Sequence, residues 1–534
     1  MWWARRLRRA AAILRFVGPR RHDPQSSGVE QRCLVTRLKA GLAASPVRTA
    51  AAAGVGFFLL VVAVNDLGRL LEWDEGVYLS VVSPDIPDVC YASQRARGII
   101  LAAFPFYFVE VDPFGSFDLF VELRLWMSAL HAAALALFVL VWHRVIGAAA
   151  LTAAAIFGVS WLAVFYAPEL SPNLLAGLLL GSAVGALIVE APPEKQMKWD
   201  LAAASMIAYA AFVRPTDAVW YTAGAFLALA ALRAPLRRLL AVIGGGLLVG
   251  VIPWVVKAEM SFGGTIQRLK TAAEITETGK GLTLWDHLKL LDGPLLGPDP
   301  TGHIPAVGLA WLVVCLILAG GGTLKRPFGA KAAAIPLAAA ATHAFPYMAL
   351  TGALAPRFLI PANLLIAVLA AQGIRAGFGQ GAASRPVTRA LAFGLIAMSL
   401  WQVAQANSQS SNELERRSTA SEVAEYMAAE AGGGPCAFGS QSWVPQLQVY
   451  SLCVGAKMLP EDDQLHPATE KALQDGEPVY VVFWRTPAER SPVREWDSTK
   501  LPTSSGAMVT VYRSPESLTS KISSRDRAAT HACG

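Results

Sequence analysis

The chain has 534 residues, of which 54% are hydrophobic and 16% charged, where an ordinary soluble domain carries roughly a quarter charged residues. Several stretches run uncharged for about 18 residues, the length needed to cross a hydrocarbon core, which excludes a water-soluble globular protein and reads as a polytopic membrane protein. The net charge of +7 does not point to nucleic acid, because the basic residues gather in one tail and in short loops.

In chain order, residues 1–48 form a basic tail with eleven Lys and Arg from Arg5 to Arg48. Its opening, "MWWARRLRRAAAILRF", reads as a disordered basic tail or as an amphipathic surface helix. Spans are expected at 49–65, 122–142, 147–166, 172–190, 199–213, 216–232, 237–257, 304–320, 332–350, 357–374 and 387–404, the first acting as a signal anchor. Residues 199–232 read as two spans or as one kinked helix; the split is placed at "VRPTD" (Val213–Asp217), since a proline and two charges are costly in lipid. Residues 49–404 thus form a membrane domain with two long loops, 66–121 and 258–303. Residues 405–534 read as a separate small domain, with strand-like runs at Pro478–Trp484 and Ala507–Arg513 and a helical stretch near 413–431. The expected fold class is therefore an all-α polytopic membrane protein of about eleven transmembrane helices with a small C-terminal α/β domain.

Lys and Arg set the orientation. With the N-terminus in the cytoplasm, the inner loops hold His143-Arg144, Lys195, Lys198, Arg233, Arg237-Arg238, Lys325-Arg326, Lys331, Arg375, Arg385 and Arg389, while the short outer loops keep only Arg214 and Arg357. An odd number of crossings then puts residues 405–534 outside the cytoplasm, as expected of a multi-pass plasma-membrane protein. Outside, an oxidising compartment makes a Cys436–Cys453 disulfide the candidate pairing. Cys33 and Cys315 are expected to be unpaired, and Cys90 and Cys533 are left over. No CxxC or His cluster suggests structural zinc.

"LLEWDEGVYLSVV" (Leu70–Val82) places three carboxylates, Glu72, Asp74 and Glu75, where the lipid ends. Such acids are either solvated or the reacting groups of an enzyme working at the membrane surface. The surrounding order of features resembles the GT-C glycosyltransferases, such as the protein O-mannosyltransferases and the lipid A aminoarabinose transferase. The matching pieces are Asp74-Glu75 in "EWDEGVY" after the first span, the segment "RARGIILAAFPFYFVEV", and the helix start "ELRLWMSALHAAALALFVL". The turn "FYAPELSPNLLAGLLLG", the late "APRFLIPANLLIAVLAAQG" and a closing outer domain complete the match. The resemblance covers about 50–405 and implies transfer of a sugar from a polyprenyl-phosphate carrier to a protein, lipid or polysaccharide acceptor. At the third-to-fourth turn, relatives often carry Asp where this chain has Asn173; Glu169 stands four residues earlier and is a candidate substitute. The metal-binding motifs of the oligosaccharyltransferase branch are absent, and no cofactor is implied.

Such chemistry needs a carboxylate to take the acceptor proton and cations to meet the departing phosphate. Asp74 is the candidate base; Glu75 and Glu169 are further catalytic candidates, Glu75 pointing elsewhere because adjacent residues do not share a face, to orient an arginine or bind sugar hydroxyls. Arg357 and Arg214 are candidate phosphate clamps, since arginine's fork suits phosphate. Glu122 and Arg124 read as a structural pair, and His131 as a packed, hydrogen-bonded histidine. Trp73, Tyr78 and Trp285 read as interfacial aromatics or sugar-stacking faces. "GGTIQRLK" in the second loop is a candidate lid. A flippase or transporter, and a non-enzymatic cell-envelope scaffold, are the competing classes.

Overall fold

The structure is a computed structural model and describes residues 45–83, 86–87, 95–105, 117–279, 281–293, 306–379, 385–440, 442–458, 464–484, 487–488 and 491–515. The tail 1–44, Cys33, Cys90 and Cys533 lie outside these residues.

Among the described residues six helices are long and apolar enough to cross a membrane: Pro46–Val64, Phe120–Ile146, Leu236–Ser261, Ala306–Lys325, Pro356–Phe378 and Pro386–Ala431. Their outward faces carry exposed residues such as Leu59, Leu248, Ile317, Phe393 and Leu400, which water would penalise and lipid accepts. In chain order the helices are α1 Pro46–Val64, α2 Trp73–Val82, α3 Gly98–Ala103, α4 Phe117–Ile146, α5 Ala149–Gly158, α6 Trp161–Tyr166, α7 Pro172–Ile188, α8 Pro193–Val213 and α9 Pro215–Ala231. They continue with α10 Leu236–Ser261, α11 Thr265–Ile275, α12 Leu284–Lys289, α13 Ala306–Lys325, α14 Ala330–Ala349, α15 Ile360–Gly379 and α16 Arg385–Ala431. Lipid offers helices no hydrophobic drive to associate, so small residues let backbones approach. A Cβ on Gly373 would strike the Leu318 carbonyl, and one on Gly250 the Ala208 carbonyl.

Two expected elements differ. The span at 147–166 is broken into α5 and α6, because Ser160 turns extended and caps α6 through the amide of Ala163. The span at 387–404 and the helical stretch near 413–431 are one 47-residue helix, α16, which passes through position 405 without a break. Its polar run, "ANSQSSNELERRSTASEVAEY", consists largely of adequate helix formers.

Beyond α16 lies a five-stranded sheet in the order β2-β1-β3-β5-β4. The strands are β1 Ala437–Ser440, β2 Val454–Lys457, β3 Val479–Phe483, β4 Asp497–Pro502 and β5 Met508–Arg513. β1 pairs parallel with β2 and β3, and β5 pairs antiparallel with β3 and β4. β1 and β3 are buried along their whole length, as central parallel strands are. The edge strand β4 is largely exposed and carries Asp497 and Lys500, which discourages further strand pairing. Helices α17 Val444–Ser451 and α18 Pro467–Gln474 complete the domain. Cys436 and Cys453 are joined by a disulfide with Cα atoms 4.7 Å apart; Cys315 is buried and free.

α17 docks the domain on α2. The Leu71 amide donates to Tyr450 Oη at 2.5 Å, and a Cβ on Gly76 would come within 3.0 Å of Pro445.

Candidate active site

Three residue–proline junctions build one end of the bundle. A residue before proline is pushed out of helical conformation, and proline suits the first turn of a helix. Ser171, Arg214 and Ala355 are accordingly non-helical, and Pro172, Pro215 and Pro356 open the segments that follow. These junctions set Asn173, Arg214 and Arg357 side by side: Asn173 Nδ2 donates to the Arg357 carbonyl at 3.3 Å, and Arg214 Nη1 donates to Asn173 Oδ1 at 3.3 Å.

α2 begins on the same end with a reciprocal cap. Glu72 Oε2 accepts the Asp74 amide at 3.0 Å, and Glu75 Oε2 accepts the Glu72 amide at 2.8 Å. The cap turns Asp74 and Glu75 in different directions, and they meet different partners.

Asp74 and Glu72 face a half-open cation cluster. Arg357 Nη2 lies 3.0 Å from Asp74 Oδ2, its Nη1 lies 3.4 Å from Glu72 Oε1, and Arg95 Nη2 bonds Asp74 Oδ1. The side chains of Asp74 and Glu72 are 19% and 21% exposed, so a ligand can reach them. Burial alone would push the Asp74 carboxyl up, but Arg95, then Arg357 and Arg214, more than offset it and hold it below the usual carboxylate range. Glu72 goes the other way: burial, then the charge of Asp74, push it up to about 7. Two carboxylates compete for the same cations, and Asp74 holds them.

Glu75 points inward into a sealed cluster. Its carboxylate is gripped by Arg124, with Nη2 at 2.7 Å from Oε2, and accepts the Leu170 amide at 2.6 Å. Glu169 meets Arg69 at 2.6 Å, Arg417 at 3.2 Å and Arg124 at 3.4 Å. Glu413 pairs with Arg417 at 3.0 Å. Three carboxylates thus interlock with three buried guanidiniums, and Glu413 also holds Arg416 at 2.7 Å. Arg124 and Arg417 also both donate to the Leu70 carbonyl, at 3.1 and 2.8 Å, fixing the strand of chain that enters α2. Glu75, Glu169 and the three arginines are all 2% exposed or less, which suits anchoring rather than contact with a substrate.

Of the residues singled out in the sequence, the structure brings Asp74 and Arg357 into contact. Arg214 stands at the same end, 2.6 Å from Asp217 and bonded to Tyr347 Oη at 3.0 Å. Glu75 and Glu169 share a separate cluster. Arg124 pairs with these two, not with Glu122, which is exposed; residues two apart on a helix do not face one another. His131 is buried and bonded through Nδ1 to the Met127 and Ala167 carbonyls. Tyr78 is buried, whereas Trp285 is 56% exposed. In "GGTIQRLK", Arg268 is buried over Trp254 and Phe262 and donates to the Arg95 carbonyl at 2.7 Å, so that segment braces Arg95. Among the described residues no group of three or more His, Cys, Asp or Glu side chains is placed to hold a metal ion.

Glu72 was noted in the sequence beside Asp74 and Glu75 but given no role, and Arg95, Arg69 and Arg417 were not singled out. Arg95 shows there only as a charge in the first outer loop. Arg69 and Arg417 meet Glu169 across 100 and 248 residues of chain, which no local pattern displays.

The fold, a helical membrane bundle followed by a small sheet-bearing domain, has counterparts among solved structures. In particular, the structure is similar to the aminoarabinose transferase ArnT of Cupriavidus metallidurans bound to undecaprenyl phosphate, with a TM-score of 0.59 at 14% identity, covering 86% of this chain and 96% of that one. The apo state of the same transferase gives a TM-score of 0.57 at 13% identity over 86% and 96% of the two chains. An Archaeoglobus fulgidus oligosaccharyltransferase gives 0.48 at 13% identity over 81% of this chain and 69% of that one. No family model matches the sequence, and no curated protein matches it.

Proposed function

We propose that this protein is a glycosyltransferase that moves a sugar from a polyprenyl-phosphate carrier to an acceptor at the outer face of the plasma membrane. Asp74 acts as general base, and Arg357, Arg95 and Arg214 receive the phosphate. The observation that carries the reading is the ion pair between Asp74 and Arg357 at the half-open end of the bundle. The fold shared with a transferase crystallised with undecaprenyl phosphate supports the donor class.

The acceptor nucleophile attacks the anomeric carbon and forms the new glycosidic bond. The bond from that carbon to the phosphate oxygen breaks, and the electron pair leaves with the polyprenyl phosphate. The acceptor proton passes to Asp74. In the empty site the guanidiniums hold Asp74 ionised and weakly basic. A donor phosphate that draws Arg357 and Arg95 to itself raises the basicity of Asp74, so the base strengthens when the donor is in place.

Helices α5 to α9 and α14, with α5 and α6 as one broken crossing, join the six long apolar helices in a bundle of about eleven crossings. The N-terminus is then cytoplasmic and residues 405–534 are extracytoplasmic. Glu75 and Glu169 serve the reaction by anchoring α2. The donor sugar is a hexose or a pentose, and the acceptor a protein, lipid or polysaccharide.

The test is a transfer assay with the purified chain in lipid nanodiscs and a panel of polyprenyl-phosphate sugars. At least one donor should be consumed with release of polyprenyl phosphate, and Asp74→Asn should abolish that. No consumption of any donor, or full activity in the variant, overturns the proposal.

A further inference from the structure

The outer domain carries a second cleft, away from Asp74. It lies between α16, the start of α17 and the turn joining β4 to β5, with a volume of about 320 Å³. Glu415, Arg416, Thr419, Trp443, Trp484 and Ser505 line it. The two indoles form its apolar wall, with ring centroids 5.8 Å apart and planes inclined by 42°. The Arg416 guanidinium lies 5.2 Å from the Trp443 ring centre and is paired with Glu413 at 2.7 Å. Opposite stand hydroxyls: Thr419 Oγ1 and Ser505 Oγ are 2.6 Å apart. The Trp484 Nε1 donor has no hydrogen-bond partner among the described residues.

Trp443 is held with φ at +65°. A bulky residue in that region is strained and persists only where its surroundings enforce it, as at ligand sites. The Trp443 indole lines the cleft, and its carbonyl accepts the Leu447 amide at 2.8 Å. The ring is half-buried, packed on the core and also lining the cleft.

Paired indoles facing hydroxyl, carboxylate and guanidinium groups suit one ligand chemistry. A pyranose or furanose ring offers an apolar C–H face to an aromatic wall and a rim of hydroxyls to polar groups. We infer that this cleft is a saccharide-binding subsite of the outer domain, distinct from the Asp74 site. Its position couples it to that site through neighbouring residues. Arg417, next to Arg416, holds the Leu70 carbonyl, and Pro445, two residues beyond Trp443, packs on Gly76 of α2. Under the proposed transferase activity, the subsite holds the glycan portion of an acceptor.

The experiment is direct binding, so it does not depend on turnover. The full chain in lipid nanodiscs, free of sugar-headed detergent, is titrated with a panel of methyl hexosides, methyl pentosides and β-linked disaccharides, followed by saturation-transfer NMR. At least one panel member should bind saturably, and Trp484→Ala should weaken it at least ~10-fold. Ala507→Trp fills the cleft from an exposed turn while keeping both indoles, and should abolish binding in a protein of unchanged thermal stability. The exposed Val454→Ala, on the far edge strand β2, should bind as the wild type does. No saturable binding by any member, or binding untouched by Ala507→Trp, overturns the inference. Transfer activity lost in Asp74→Asn with saccharide binding intact separates this subsite from the transferase reading.

Discussion

Asp74 Oδ2 and Arg357 Nη2 lie 3.0 Å apart although 283 residues of chain separate them. One comes from the first turn of α2, the other from the proline-opened turn before α15. Neither is placed by the other: the cap at Glu72 sets Asp74, and the Ala355-Pro356 junction sets Arg357. Both are therefore pre-positioned in the empty protein, as a transfer site requires.

Removing the base and removing the clamp should then have different kinetic signatures. Asp74→Asn should lower kcat by about 10²–10⁴-fold, the usual contribution of a positioned base, with little change in donor KM. Arg357→Ala should raise donor KM as well as lowering kcat. Because the two groups share an ion pair, the double variant should be less impaired than the product of the singles. Steady-state kinetics on the four proteins checks this, and strict multiplicativity would show that the pair does not act together.

Glu72 gives the site a pH dependence. Burial and the charge of Asp74 push its carboxyl up to about 7, so it becomes charged as pH rises through neutrality, beside Arg357. A charged Glu72 competes with donor phosphate for that guanidinium, and donor affinity should fall from about pH 6 to 8. For stability the sign follows from a raised carboxyl. Its contribution is fully present below the unfolded value, roughly 4.3, and is lost as pH rises through about 7. Glu72→Gln should flatten the affinity limb and stabilise the protein above neutrality, while its amide oxygen still caps Asp74. Donor KM and thermal unfolding between pH 5 and 9 measure both.

The Glu169 cluster makes a stability prediction. Burial pushes its carboxyl up, but Arg124, Arg417 and Arg69 outweigh that and hold it well below the ordinary range. The contribution is present above the unfolded value of roughly 4.3 and fades only as pH falls toward the depressed folded value. Glu169→Ala leaves buried guanidiniums short of a partner, which typically costs about 3–5 kcal/mol. Denaturant unfolding in nanodiscs should show that loss, and the folded fraction should retain substrate turnover at reduced rate. A variant as stable as wild type would show that the cluster does not hold α2 in place.

The bundle and the meeting of Asp74 and Arg357 at one of its ends were legible in the sequence because lipid demands long apolar runs and charges placed at their ends. The split between α8 and α9 was legible for the same reason, since Arg214 and Asp217 add charges that are costly in mid-span, whereas Pro253, Pro336 and Pro346, without such charges beside them, stand inside helices. β3 and β5 were visible as apolar runs, while β1, β2 and β4, with sequences such as "VGAK" and "DSTKLP", carry no strand signature and exist through pairing alone. That Glu75 points away from Asp74 was legible, because adjacent residues do not share a face, but its partner Arg124 was not. What separates the two acids is the cap at Glu72, which turns one to the surface cations and the other to Arg124. The continuity of α16 was hidden because polarity reads as departure from the membrane, whereas the helix needs only backbone bonds to continue.

Gly98 offers a test of how tightly the cation cluster is set. A Cβ there would lie 2.5 Å from the Phe212 carbonyl carbon and the Val213 amide nitrogen, backbone atoms that cannot turn aside. Gly98 stands three residues after Arg95, and Val213 one residue before Arg214, so this contact fixes the spacing of the two guanidiniums. Gly98→Ala must push α3 away from the end of α8, with an overpacking cost of about 1–3 kcal/mol. Both cations then shift relative to Asp74, and kcat should fall further than the lost folded fraction explains. Gly56→Ala on α1, where an added Cβ meets nothing within 4 Å, should leave both stability and turnover unchanged. Equal behaviour of the two variants would mean that the spacing of Arg95 and Arg214 is set elsewhere.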